Sequence, residues 1–209
     1  MKRSTGVLLV LILIVTLQQV TVFAEGLSAG ELANYGVLEE EYLIGKTNDS
    51  TVTRAEMTKI LVLMLGLDAN GESTNFTDVD GHWAEGYISQ AKNADVIDGM
   101  GDGIFAPDEP VTYQQAIKMT VCALGYRPMA EKRGGYPTGY GITATNLGIA
   151  SREAVMEHTA RLGDIITLLT QALDVPMMFE DTSGEETVYQ ILNGKNGTKL
   201  FTLRMKLEQ

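Results

Sequence analysis

The nucleophiles and metal ligands of this sequence are few and poorly placed for chemistry. Cys122 is the only cysteine, so no disulfide can form within the chain. It lies inside an apolar run, where a thiol packs as a small hydrophobe and does not act as a nucleophile. His82 and His158 have no spacing that suggests a metal pair. Asp98, Asp102-Gly103 and Glu109 follow part of the spacing of a calcium loop. The third position of that loop is Met100, which offers no oxygen, and Pro107 interrupts the frame. Catalysis needs a partnered base or nucleophile, and no Ser/His/Asp or Cys/His set stands in a suitable context. No glycine-rich phosphate loop follows a strand. The expectation is a protein that is not an enzyme and uses neither cofactor nor metal. What remains is a short polar sequence, Thr53-Arg54-Ala55-Glu56, at the head of a long apolar stretch.

That stretch belongs to a pattern that recurs. Thr53-Arg54-Ala55-Glu56 precedes Met57 to Gly66, and Thr112-Tyr113-Gln114-Gln115 precedes Ala116 to Gly125, at an offset of 59 residues. The same offset of 59 relates Asn34-Tyr35-Gly36-Val37-Leu38 to Asn93-Ala94-Asp95-Val96-Ile97. A weaker third copy sets Tyr136-Pro137-Thr138-Gly139-Tyr140 on Trp83-Ala84-Glu85-Gly86-Tyr87 at an offset of 53, and Gly163 to Leu169 on Gln114 to Thr120 at 49. Fixed periods of this size mark stacked structural repeats. Each copy reads as helix, loop, helix. In the second, the first helix is expected over about Trp83–Ile97, and Gly99, Gly101, Gly103 and Pro107 then impose a turn-rich loop. Thr53-x-x-Glu56 and Thr112-x-x-Gln115 are capping boxes that open the second helices. Those helices are apolar on most sides and therefore buried. A central three-helix bundle is expected, since no single repeat of this size can bury its own apolar face.

The ends of the chain read differently. Lys2 and Arg3, the apolar run Val7–Val15 and the small-residue exit Val22-Phe23-Ala24 describe a secretory signal peptide over residues 1–24. A run of nine apolar residues falls well short of the ~20 needed to span a bilayer. No membrane span is expected once the leader is removed. Its loss would take the formal net charge from −11 to −13, because Lys2 and Arg3 go with it. So acidic a chain argues against nucleic-acid binding, and any anionic ligand must be met by a local positive site. Towards the other end, Val188–Leu192 and Lys199–Leu203 flank Asn193-Gly194-Lys195-Asn196-Gly197, which predicts a β-hairpin.

The second copy carries a resemblance. Phe76-Thr77-Asp78-Val79, Gly81-His82-Trp83-Ala84, Gly99-Met100-Gly101-Asp102-Gly103-Ile104-Phe105-Ala106-Pro107 and Val111-Thr112 closely resemble an S-layer homology motif. Thr53-Arg54-Ala55-Glu56 resembles that family's most recognisable tetrapeptide. The resemblance covers roughly residues 28–178. It implies a mainly α fold of three helix-loop-helix repeats in a pseudo-threefold bundle, here with a short C-terminal β-hairpin. It also implies a secreted protein of a Gram-positive-type cell wall that binds secondary cell-wall polysaccharide, carrying a pyruvyl ketal, in grooves between repeats. In such domains the arginine of the tetrapeptide meets the acidic group and the tryptophan shapes the sugar site. A guanidinium fork suits a carboxylate, a helix N-terminus adds attraction for an anion, and an indole face suits the apolar side of a sugar.

Carried over position by position, the resemblance gives Arg54, Trp83, Asp78, Gly101, Asp102, Tyr113 and Tyr136 as ligand-binding candidates. Departures accompany it. Tyr113 stands at the arginine position of the second copy and Leu162 at that of the third, with Arg161 one residue early. Tyr136 takes the tryptophan position of the third copy, and the first copy has none. At most one groove, the one that uses Arg54, should hold a full set. The expected organisation is a leader over 1–24, repeats over 25–70, 71–130 and 131–178, and a hairpin tail over 179–209 that could meet a surface protein partner. The expected function is non-covalent wall anchoring, with a secreted scaffold of weak or no polysaccharide binding as the alternative.

Overall fold

A computed structural model describes residues 29–70, 74–151, 158–181, 188–191 and 201–209. The expected leader lies outside the described residues. The described chain is mainly helical: α1 (Gly30–Asn34), α2 (Glu40–Leu43), α3 (Arg54–Met64), α4 (Glu85–Asn93), α5 (Tyr113–Ala123), α6 (Arg127–Lys132), α7 (Thr138–Asn146), α8 (Leu162–Ala172) and α9 (Leu203–Leu207). Strands β1 (Met178–Asp181) and β2 (Val188–Ile191) form one antiparallel pair, with Met178 opposite Ile191 and Asp181 opposite Val188.

The expected capping boxes set the starts of α3 and α5. Thr53 N–H donates to Glu56 Oε2 at 2.8 Å, and Glu56 N–H donates to Thr53 Oγ1 at 3.1 Å. Thr112 and Gln115 repeat the exchange at 3.1 and 3.3 Å. At α8 only half of it survives. Arg161 N–H donates to Asp164 Oδ2 at 2.9 Å, but arginine has no acceptor with which to return the bond.

The amides that a helix start leaves unpaired find partners in other segments. Arg54 N–H donates to Glu109 O and Ala55 N–H to Pro107 O, in the loop before α5, each at 2.9 Å. Tyr113 N–H donates at 2.8 Å to His158 O, ahead of α8. Leu162 and Gly163 donate to Ser50 O and Asn48 O, ahead of α3, at 2.8 and 2.9 Å. Single β-bridges between Thr53 and Pro110, Thr112 and Thr159, and Thr51 and Arg161 accompany these bonds.

Inside, α5 is the common neighbour: it packs against α3, α7 and α8, while α4 lies on α3 and α1 on α8. The expected buried helices are buried. Met57, Leu61, Val62 and Met64 of α3 are fully enclosed, as are Leu162, Ile165, Leu168 and Leu169 of α8. Cys122 lies in this core, and burial pushes its thiol up to about 12. The glycines aligned by sequence at 86 and 139 prove to be sites of close approach. A Cβ on Gly86 would strike the carbonyl oxygen of Ala69, and one on Gly139 that of Ala130.

Several elements differ from expectation. The first helix of the second copy is shorter than Trp83–Ile97, because Asp95 turns left-handed (φ 57°) and Val96 N–H returns to Ala91 O. Helix α6 has no counterpart in the sequence reading. The hairpin also forms otherwise: β2 is the strand read at Val188, yet its partner is β1. Leu203, read as strand, opens α9 behind Thr202, whose hydroxyl accepts from Met205 N–H at 3.3 Å. The Asn193–Gly197 turn lies outside the described residues. Helix α9 is tied down. Leu203 is fully buried, and Arg204 pairs with Asp174 at 2.8 Å and also with Glu31, joining α8 and α1 to the tail.

Two sets of variants follow. Thr112→Ala should lower unfolding free energy by about 1 kcal/mol, as the loss of an N-cap does. Gly139→Ala should cost about 1–3 kcal/mol through the backbone clash. Urea denaturation measures both, with Gly30→Ala as a comparison, since a Cβ there meets nothing and the backbone is not left-handed.

Candidate functional site

Arg54 is the first residue of α3 and is only 4% exposed. A buried guanidinium must be paired or hydrogen-bonded, and here backbone carbonyls do it. Nε donates to Phe105 O at 2.8 Å and Nη2 to Asp98 O at 3.1 Å. The guanidinium lies 4.5 Å from the centre of the Phe105 ring. Burial pulls its pKa below the usual value, and Asp78 and Asp98 work the other way.

The loop that holds Arg54 is itself held by Asp78. Its Oδ1 accepts from Phe105 N–H at 2.9 Å and its Oδ2 from Ala106 N–H at 2.7 Å. Burial alone would raise its pKa, but the backbone bonds outweigh that and lower it. Both carboxylate oxygens are thus engaged with the loop, and they fix Ala106 at a left-handed φ of 59°. Gly101 and Asp102 form the turn of the same loop, closed by Ile104 N–H to Gly101 O at 2.8 Å. Asp102 there takes φ 50°. Asp78 and these turn residues shape the site from behind; they do not line it.

Arg54 opens into a cleft of about 200 Å³ walled by Asp98, Met100, Gln115, Lys118 and Tyr136. Tyr136 is 43% exposed there, and Lys118 Nζ lies 5.3 Å from its ring centre. Asp98 gathers three cations: Lys118 and Arg127 at 2.9 Å each and Lys92 at 3.6 Å. Burial would raise its pKa, but the bonds from Lys118 and Arg127 prevail and hold it at about 2. A carboxylate surrounded in this way is committed to cations of the chain. Among the described residues no group of three or more His, Cys, Asp or Glu could hold a metal.

A second groove, about 210 Å³, lies between Val37, Glu39, Tyr42, Glu56, Lys59, Ile60 and Trp83. Five of these precede Val96, Asp98, Gln115, Lys118 and Met119 of the Arg54 cleft by the same 59 residues. The contacts recur as well. Lys59 meets Glu39 at 2.7 Å as Lys118 meets Asp98, and Lys59 lies 5.8 Å from the Tyr87 ring as Lys118 lies 5.5 Å from Tyr140. Trp83, 57% exposed, stands here in the place that Tyr136 holds beside Arg54. Arg54 and Trp83 therefore serve different grooves. The lysines escaped the sequence reading, although Lys59 and Lys118 sit at one position of the aligned helices, a signal that was there to use.

The side chains at the other two aligned positions, Tyr113 and Leu162, are covered. Tyr113 is 6% exposed and stacks on His158 with ring centres 5.1 Å apart. Leu162 is fully buried, and Arg161 turns away to donate to Asp49 O at 3.0 Å.

Known proteins resemble this chain in sequence. Residues 75–117, from the segment of Asp78 to the middle of α5, match the S-layer homology domain family. The chain is 32% identical over 182 residues to the middle cell wall protein of Brevibacillus brevis, which covers 85% of this chain and 16% of that protein. It is 32% identical to a cell surface protein of Thermoanaerobacter kivui, over 72% of this chain and 20% of that protein. A surface layer protein of Brevibacillus choshinensis is 32% identical over 62% of this chain and 12% of its own length. The chain thus spans no more than a fifth of these relatives. It carries an S-layer homology domain and is a secreted protein of the bacterial cell surface or cell wall.

Proposed function

We propose that the chain attaches non-covalently to the cell wall by binding secondary cell-wall polysaccharide, and that Arg54 receives an acidic substituent of it, such as a pyruvyl ketal. One observation carries the reading: a buried, backbone-tethered guanidinium opens into a cleft that also presents a lysine and an exposed aromatic ring. Carbonyl bonds to Nε and Nη2 leave further N–H groups for a carboxylate. The position and tilt of the fork are fixed before the ligand arrives, so little ordering is needed on binding. Lys118 supplies a second positive charge, and Tyr136 offers a face on which a sugar ring can lie. The chain as a whole is strongly acidic, so attraction to an anionic polymer depends on this local cluster.

The cross-segment amide bonds at the starts of α3, α5 and α8 support a pseudo-threefold arrangement of three units, in which Arg54 lies at one junction. At the other two junctions Tyr113 and Leu162 stand where arginine stands in the first. Binding then rests mainly on one charged site, without the gain that linked equivalent sites provide.

The test is co-sedimentation of the purified protein with Gram-positive walls, before and after removal of the secondary polysaccharide. The protein should pellet with unstripped walls alone. Arg54→Ala should weaken binding by about tenfold or more, the loss expected when a buried charged contact is truncated. Lys118→Ala, a change at a partly exposed side chain, should weaken it less while leaving the fold intact. A folded protein that never pellets with unstripped walls would overturn the reading and leave a scaffold role in its place.

A pH prediction concerns the same cluster. Asp98 titrates near 2 when folded, below the ordinary 3.8, so its ion pairs stabilise the fold above the ordinary value. That stability should be lost as pH falls from about 4 through about 2. Asp98→Asn should remove this part of the acid dependence in urea titrations.

A further inference from the structure

The two grooves share a plan but not a charge. Beside Arg54 the cations are Arg54, Lys118, Lys92 and Arg127, and the acids acting on them are Asp98, Asp95 and Asp78. Beside Trp83 each cation has its own carboxylate: Lys59 is bound to Glu39 at 2.7 Å and Lys46 to Glu56 at 2.8 Å. Gln115 of the first groove is replaced by Glu56 in the second, which adds a negative charge. No guanidinium lines the second groove, since Leu162 is buried in the core and Arg161 faces Asp49. An acidic ligand entering there would meet Glu39 and Glu56 with no surplus positive charge to offset them.

What the second groove does present suits an uncharged, hydroxyl-rich ring. Trp83 is the most exposed aromatic side chain in either groove, and an indole takes the apolar face of a ring while its N–H stays free to donate. The carboxylates beside it hold further acceptor positions beyond those used by the lysines. Tyr42 adds a second ring to the wall of the groove, with Lys46 Nζ 4.3 Å from its centre.

We propose that the groove of Trp83, Tyr42, Glu39, Glu56 and Lys59 is a carbohydrate subsite selective for an uncharged sugar residue, distinct in ligand class from the Arg54 cleft. The proposal rests on the polysaccharide reading above and adds to it a division of labour between grooves. One chain would read two chemically different residues of a wall polymer, the acidic one at Arg54 and a neutral one at Trp83.

Trp83 is the only tryptophan, so its emission reports on this groove without labelling. The probe is purified wall polysaccharide, native and after chemical reduction of its carboxylates to alcohols. The carboxyl-reduced polymer should shift Trp83 emission saturably in the intact protein. Arg54→Ala should retain that titration within about twofold, since the sites are separate and their effects independent. Glu39→Ala should weaken it by about tenfold, the scale of a lost key contact. If the native chain pellets with unstripped walls through Arg54 but its emission ignores the reduced polymer, the neutral subsite is overturned and wall binding stands. If the emission response vanishes in folded Arg54→Ala, Trp83 reports only the Arg54 cleft and the subsite is likewise overturned. If the native chain binds neither walls nor polymer, both readings fall.

Discussion

The fold depends on where the first amides of three buried helices find their partners. A helix cannot satisfy those groups itself, and in the core of a small protein leaving them bare costs about as much as a lost hydrogen bond each. Here α3 takes carbonyls ahead of α5, α5 takes one ahead of α8, and α8 takes carbonyls ahead of α3. The dependence is circular, so no helix start is complete without another segment. The same crossings bring the head of α3 against the loop of the following segment. That is the only reason an arginine there can reach the carbonyls of Phe105 and Asp98.

A site built at such a crossing inherits its rigidity. Asp78 fixes the loop by two backbone bonds, the loop fixes Arg54 by two carbonyls, and the capping box fixes the helix on which Arg54 stands. Recognition groups held by supporting bonds of this kind stay in place before a ligand arrives. In the proposed role, recognition and stability are entangled at Arg54, whereas Tyr136 and Trp83 stand exposed outside this network.

Much of this was legible because it is written in local patterns. Thr53 and Thr112 announced their helices through residues three positions on, and the buried stripes of α3 and α8 followed from periodicity. The aligned glycines at 86 and 139 were visible as a match, and the structure supplies their reason in close backbone approach. The pairing of Lys118 with Asp98, and of Lys59 with Glu39, was not legible one chain segment at a time. Each joins residues 20 apart in sequence whose meeting depends on the loop between helices. Trp83 and Arg54 were both singled out, but their assignment to separate grooves is a tertiary fact. The tail misled for a different reason: a strong Asn-Gly turn signal drew both arms of the hairpin to itself, whereas β2 pairs backwards with β1 and Thr202 caps a helix.

The Arg204 contacts bear on how the protein carries load. Its guanidinium spans Asp174 of the chain just after α8 and Glu31 of α1, so the first and last described helices are fastened to one another. A pull on α9 is therefore shared at once between two elements that are far apart in sequence. Pulling α9 off breaks both ion pairs and uncovers Leu203. Under load applied at α9, that geometry resists unravelling from the end where the force enters.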